Sequence, residues 1–272
     1  IVLYIRLILF YFIFLFYNHY MTNISNYKSK LYEDGFTVYK NAIDTTLCTQ
    51  FINNIDNPNV HWNIRKCVKP IFADLWFTYD LLTSFDGYLV REFGEDDDGL
   101  LWHVDQNLSR EKNKMVGIQA ILALSNVTKQ SGGTEFLPRS HRHHEAFVLR
   151  NDDEPYHDNT WEFITTTESD YIFKQCLDPI FPNLNIGDLL IWDSRTLHRV
   201  LPPLDHKNTN RIAFYLSMMP KKNATQTVLE LRKNAFYNGL HTTHWCDRCI
   251  TRGDYETFKL PIIDDSILNM VY

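Results

Sequence analysis

The chain has little cysteine and no surplus of positive charge. Five cysteines, Cys48, Cys67, Cys176, Cys246 and Cys249, are spread over 272 residues. So sparse and odd a set makes a poor disulfide framework, so reduced thiols and a cytoplasmic setting are expected. Lysine and arginine number 27 against 33 aspartates and glutamates, a net charge of −6. That balance argues against nucleic acid or an anionic membrane as partner, since either selects a basic surface. No internal repeat or low-complexity tract is visible. The hydrophobic share of 44% and charged share of 22% are ordinary for a globular protein. The length suits one large domain with appendages, or at most two.

Methionine is absent before Met21, and Ile1 to Tyr17 is almost wholly apolar, broken only by Arg6. A membrane anchor is one reading, but the run falls short of the roughly 20 residues of a spanning helix. A cleaved signal peptide needs small residues at its cleavage site, and Phe16-Tyr17-Asn18-His19-Tyr20 has none. Translation upstream of the true start is favoured, because the run consists of residues that AT-rich codons supply. Residues 1–20 are therefore expected to lie outside the fold. Membrane anchoring enters only if that run is genuine.

Further on, Ile24, Tyr27 and Leu31 have helical spacing and stop at Gly35, a suitable C′ residue. Phe36 to Tyr39 reads as a strand. Asp44 can cap a helix carrying Leu47, Phe51, Ile52 and Ile55. A further helix is expected near Pro70, with Phe72, Leu75, Trp76 and Tyr79 on one side. From Gly87 the pattern changes to short strands: Tyr88 to Phe93, Leu100 to Asp105, Val116 to Leu124, Gly133 to Leu137, Asp188 to Trp192, Leu197 to Leu201 and Ile212 to Met219. Strands this short, separated by Gly, Pro and Asn turns, indicate a sandwich or jelly roll. The acidic run Glu95 to Asp98 lacks the ligand spacing of an EF-hand and reads as a solvated hairpin turn. A long polar insertion covers about Arg150 to Pro182, and a C-terminal helix runs from Ala224 to about Phe236.

The stretch Trp102-His103-Val104-Asp105-Gln106 carries the chemistry. In a strand, residues i and i+2 share a face, so His103 and Asp105 can aim at one point. Two imidazoles and a carboxylate on one face of an octahedron make the facial triad of non-heme Fe(II) oxygenases. His198 is the candidate third ligand, on a strand folded back beside the first. His141, His143 and His144 form another cluster, expected to be a polar loop. His241, His244, Cys246 and Cys249 lie within nine residues and raise the question of zinc. Four ligands so close in sequence strain a tetrahedral site, and the alternative is a segment packing Trp245 against the core.

Several motifs stand in one order: Y-E-D-G-F-T-V-Y-K-N-A, W-H-V-D-Q, the run from Ala123 to Arg142 containing S-G-G-T-E-F-L-P-R-S-H-R, G-D-L-L-I-W-D-S-R-T-L-H-R, and N-R-I-A-F-Y-L. This ordered set resembles the phytanoyl-CoA dioxygenase-like (PhyH) family of Fe(II)/2-oxoglutarate oxygenases, across roughly residues 28–220. The resemblance implies a mainly β fold with flanking helices and a double-stranded β-helix (jelly-roll) core. The dioxygenase domain would span 21–220, with 221–272 an extension packed on it. The resemblance also implies iron ligation by His103, Asp105 and His198, and a grip by Arg211 on the far carboxylate of 2-oxoglutarate. Gln119 and Thr134 are expected co-substrate contacts. Fe(II), 2-oxoglutarate and O₂ are the implied cofactor and co-substrates, and a small organic molecule the substrate to be hydroxylated.

Two positions depart from the family pattern. Val200 stands where a small polar residue is usual, and Arg139 replaces the glycine of a P-G-S-H turn, placing a positive group near the mouth of the site. Two other functions stay open. A nucleobase oxygenase of the same superfamily would carry a second arginine six residues after Arg211, where this chain has Ser217. A non-catalytic jelly roll used as a binding module would need no metal. Oligomeric state, acyl-CoA involvement and the primary substrate are not legible.

Overall fold

A computed structural model describes residues 26–106, 114–145, 174–253 and 256–272, together with the backbone of Glu162–Phe163. Residues 1–20 and most of the polar insertion lie outside the described residues.

The fold has three layers, and the two-residue period of the strands shows why. Strands β1 (Phe36–Tyr39), β2 (Leu81–Thr83), β3 (Tyr88–Arg91), β5 (Ile118–Ala123), β8 (Leu189–Asp193) and β10 (Arg211–Pro220) form one sheet. Its spine runs β1-β8-β5-β10, all antiparallel; β2 pairs the C-terminal half of β10 and β3 its N-terminal half. The second sheet is β6 (Gly133–Phe136), β9 (His198–Leu201), β4 (Leu100–Val104) and β7 (Glu162–Phe163), in that order. Ile118, Ala120, Leu122, Leu189, Ile191, Phe214 and Leu216 point away from this second sheet into a core shared with helices α2 (Thr45–Asn53) and α3 (Pro58–Trp76). Their neighbours Ile121, Ala123, Leu190, Trp192 and Ala213 point the other way, into the space between the sheets. Strands buried on both faces read as near-continuous apolar runs, as Leu189 to Trp192 does. The result is a mainly β jelly roll with flanking helices.

Helix α1 (residues 26–34) ends at Gly35, whose φ of +85° and N–H bond to Leu31 O form the expected left-handed cap. Asp44 caps α2 by accepting from Thr46 N at 2.8 Å. The helix expected near Pro70 begins twelve residues earlier, at Pro58, with Asn57 as its cap. Pro70 lies inside it, and burial of Ile64, Val68 and Phe72 against the sheet outweighs the lost backbone bond. Tyr79 falls beyond its end and is exposed. The acidic run before Leu100 is not a hairpin turn. It joins β3 in one sheet to β4 in the other, so no ladder links the strands it connects.

Two helices lie beyond the jelly roll, α4 (Gln226–Tyr237) and α5 (Asp265–Val271), capped by Thr225 and Asp264. Arg232 of α4 is wholly buried and donates to the carbonyls of Thr83, Val271, Cys246 and Met270. One guanidinium thus ties β2, the C-terminal segment and α5 together. Among the described residues no helix is long and apolar enough to cross a membrane.

Candidate active site

His103 on β4 and His198 at the start of β9 are direct cross-strand partners, their ring centroids 4.2 Å apart. Strand β4 stops at Val104, so Asp105 sits just past it rather than within it. Its carboxylate still meets the same point, 3.8 Å from His103 Nε2 and 3.4 Å from His198 Nε2. One ligand atom from each of the three lies within 4.8 Å of the others, and all three residues are buried. Among the described residues this is the one such group of His, Cys, Asp or Glu.

The imidazoles are held in one tautomer. His103 Nδ1 lies 2.8 Å from Leu101 O, and His198 Nδ1 lies 2.9 Å from Thr196 O. A carbonyl only accepts, so each Nδ1 carries the proton and each Nε2 presents its lone pair towards Asp105. Asp105 Oδ2 accepts from Gln119 Nε2 at 2.6 Å and from Trp192 Nε1 at 3.1 Å. Such outer contacts fix ligand orientation.

Electrostatics select the same state. Burial alone would raise the Asp105 carboxyl, but His198, His244 and His103, with the Trp192 hydrogen bond, outweigh it and hold it at about 2. Burial, reinforced by His103, lowers His198 to about 4. At neutral pH the site is therefore a carboxylate facing a neutral imidazole, the protonation a divalent cation requires.

A cavity of about 350 Å³ opens over these residues. Gln119 and Thr134 line it, as does Val200 at the position that departs from the family pattern. Gln119, expected as a co-substrate contact, spends its amide on Asp105. Arg211 is not a lining residue. It begins β10 two places before Ala213, on the side of the strand that faces the second sheet, and is 3% exposed. Its guanidinium makes no hydrogen bond or ion pair among the described residues, and Nε is sealed from solvent. Directly opposite, on β3, stands Arg91, also buried, whose terminal nitrogens donate only to the carbonyls of Glu95, Thr209 and Ser131. Two buried cations in register are unfavourable unless an anion joins them.

Other expectations need correction. Arg139 is not at the mouth of the cavity; it sits beside Asp34, 3.7 Å from its carboxylate. His141 and His144 are not a polar surface loop. Both are buried, with Nε2 on the main-chain oxygens of Tyr32 and Gln106 respectively. The candidate zinc ligands separate: His241 and His244 line the cavity, whereas Cys246 packs with Leu82, Met219 and Trp245. Burial pushes the Cys246 thiol up to about 12, so it is not a thiolate. Two contributors lie beyond sequence reasoning, Trp192 on Asp105 and Asp86 on the cavity wall, while His244, a candidate zinc ligand, lines the cavity instead. The alternation of β8 is the available signal for Trp192, which must share a face with Leu190.

Comparison with known proteins agrees with this geometry. Residues 91–202 match the family described as Phytanoyl-CoA dioxygenase (PhyH), a stretch that contains all three triad residues and ends before Arg211. "Ava biosynthesis cluster protein O" of Aspergillus versicolor is 30% identical over 195 residues, 68% of this chain and 61% of that protein. The chain thus spans about three-fifths of that relative's length. Among solved structures, the non-heme alpha ketoglutarate dependent carbocyclase SnoK from nogalamycin biosynthesis superposes with a TM-score of 0.51. It has 16% identity, over 71% of this chain and 83% of that one. The epimerase SnoN, solved with Fe3+, alpha ketoglutarate and nogalamycin RO, gives 0.51 with 14% identity over 89% of this chain and 96% of its own. Through residues 91–202, then, the chain matches the phytanoyl-CoA dioxygenase (PhyH) family.

Proposed function

We propose that the protein is an Fe(II)- and 2-oxoglutarate-dependent oxygenase that hydroxylates a small organic substrate. The observation that carries this reading is the pairing of the buried His103/Asp105/His198 cluster with the unsatisfied guanidinium of Arg211 on the same inter-sheet face. The donor set fits iron, with two neutral imidazoles and one carboxylate, each oriented from behind. The buried cation fits an anionic co-substrate, since a guanidinium offers two parallel N–H donors to a carboxylate. When bound, iron with 2-oxoglutarate and O₂ supplies the oxidising power for C–H cleavage, with succinate and CO₂ as co-products.

The chain's own residues have three tasks in this scheme. His103, Asp105 and His198 would hold the metal, and Gln119 and Trp192 keep Asp105 from rotating. Arg211 would hold the far carboxylate, with Thr134 a further contact. His103, Asp105 and His198 are themselves buried, which strengthens each polar contact among them. Neighbouring arginines offer no substitute anchor: Arg195 is paired with Asp193 at 2.6 Å and Arg199 with Glu135 at 2.6 Å. Ser217, where a nucleobase oxygenase would carry its second arginine, is buried and donates to Ile118 O at 2.8 Å. That position offers no cation to a nucleotide.

Anaerobic titration of the Fe(II)-loaded protein with 2-oxoglutarate, followed by its metal-to-ligand charge-transfer absorbance, tests the reading. Admission of air should then release succinate. His103→Ala, Asp105→Ala and His198→Ala should each abolish both signals while leaving the circular dichroism spectrum unchanged. Absence of both signals in the wild type would overturn the proposal.

A further inference from the structure

The cavity has a second polar face, built by a segment outside the residues that match the family. His241, Thr242, His244 and Arg252 from the C-terminal segment line it together with Asp86. The main chain of Phe85 sets this assembly. Phe85 N donates to Thr242 Oγ1 at 2.9 Å, and Phe85 O accepts from His241 Nδ1 at 2.9 Å. The next residue, Asp86, is thereby placed beside the segment. A bridge between Thr242 and Thr251, with Arg252 N on His241 O at 2.8 Å, closes the segment on itself.

His244 is fixed by the two residues after it. Trp245 is buried, packs with Met219 and Leu82, and fills the space beside Gly117, where a Cβ would lie 2.9 Å from its ring. Cys246 adds a contact from Sγ to Ser217 O at 3.4 Å. An anchor so deep beneath a half-buried histidine gives that side chain a defined place in the cavity wall. Asp86 and Arg252 bring groups of opposite charge to this face; burial raises the Asp86 carboxyl, and His244, Ser84, Arg65 and Arg252 counter that rise. A substrate carboxylate would meet Asp86, and a substrate ammonium would meet Arg252. A hydroxyl can donate to the carboxylate and accept from an imidazole or guanidinium N–H. The remaining wall includes Leu100, Ile121 and Val200, which suit a hydrocarbon body.

We propose that Asp86 and His244, with Arg252, form the substrate-recognition face of the cavity, and that it takes a neutral hydroxyl group on an otherwise apolar small molecule. This assignment rests on the oxygenase reading only for the word substrate; the binding face itself is a property of the metal-free protein too.

Four probes with one hydrocarbon body test it: naphthalene, 2-naphthol, 2-naphthoate and 2-(aminomethyl)naphthalene. Each is equilibrated by dialysis against the full chain, without metal and again with Fe(II) and 2-oxoglutarate under anaerobic conditions. 2-Naphthol should bind about tenfold more tightly than naphthalene, the worth of one or two hydrogen bonds, and more tightly than either charged probe. Asp86→Asn and His244→Gln should each bring 2-naphthol close to naphthalene, and Asp86→Asn should leave 2-oxoglutarate affinity unchanged. Arg211→Ala should do the reverse. Equal binding of all probes, no binding of any at millimolar concentration, a preference for 2-naphthoate or the amine, or a hydroxyl preference that survives both Asp86→Asn and His244→Gln would each overturn the assignment. A hydroxyl preference in protein that binds neither Fe(II) nor 2-oxoglutarate would preserve the recognition face and remove the oxygenase reading instead.

Discussion

Gln119 Nε2 lies 2.6 Å from Asp105 Oδ2, an amide on a central strand holding a carboxylate just past the end of a strand in the other sheet. The contact matters because Asp105 has no strand geometry of its own to fix it. Gln119→Leu should therefore weaken Fe(II) affinity by about 10- to 100-fold, the usual cost of losing an outer partner. Trp192→Phe should add to the loss, since both donors share one oxygen. Competition with a fluorescent chelator reads the affinity. Wild-type affinity in the double variant would show that the carboxylate is held from elsewhere.

Arg211→Ala should lower 2-oxoglutarate affinity by well over tenfold and leave Fe(II) affinity nearly unchanged. The loss corresponds to roughly 2–5 kcal/mol, as for a truncated partner of a buried charge. Arg211→Lys should restore only part of it, because an ammonium cannot present a planar fork. A 2-oxo acid lacking the far carboxylate should not distinguish wild type from variant. Charge-transfer titrations with both acids provide the comparison.

Arg139 adopts φ 69° and ψ 0°, the left-handed region that favours glycine. Restoring glycine there removes a strain of about 1–2 kcal/mol at the expense of a long, partly exposed ion pair with Asp34. Arg139→Gly should raise the melting temperature by about 2–4 °C for each kcal/mol gained. A scanning calorimetry trace without such a rise would place a compensating contact on the arginine.

Acid should destabilise the fold before the carboxylates titrate. His61 on α3 is held at about 4, first by burial and then by the neighbouring charge of Arg65. An unfolded histidine titrates near 6.5, so the unfolded chain takes up the proton first as pH falls. The fold should therefore keep its full stability above about pH 6.5 and lose it progressively towards pH 4. In metal-free protein His198 acts in the same direction. His61→Phe should flatten the slope of melting temperature against pH in that window, and an unchanged slope would assign it to other groups.

Arg232→Met should destabilise the protein strongly, by about 3 kcal/mol or more, because four buried carbonyls lose their donor at once. Limited proteolysis should then cut first within the C-terminal segment. If the segment stays as resistant as in the wild type, its hydrophobic contacts alone hold it.

Periodicity and local caps account for most of what is legible in the sequence. The strands of the jelly roll, the Gly35 cap and the Asp44 cap are local signals. The pairing of His103 with His198 is readable because the motifs stand in a known order. Long-range partnerships are not. Nothing near Gln119 marks it as the donor to Asp105 rather than a co-substrate contact, since the choice depends on where another sheet places the acceptor. The acidic run misleads for the same reason: local turn chemistry does not tell a hairpin from a crossing between sheets. Pro70 resembles a helix start, yet the start signal lies at Asn57 and Pro58, and tertiary burial carries the helix through the later proline.

Gly35 joins the end of α1 to the loop that delivers His198. Its carbonyl accepts from Thr196 Oγ1 at 2.8 Å and from Asp193 N at 2.9 Å, while Thr196 O receives His198 Nδ1. A Cβ at residue 35 would collide with both Thr196 and His141 at 2.5 Å. The third ligand is thus braced by a helix more than 160 residues away in sequence, well before the stretch that matches the family. Residues 91–202 excised alone would keep every metal-binding side chain and lose the buttress that aims one of them. Sequence variation at the amino-terminal helix, remote from any chemistry, should accordingly be felt as a change in metal retention before it is felt as a change in fold.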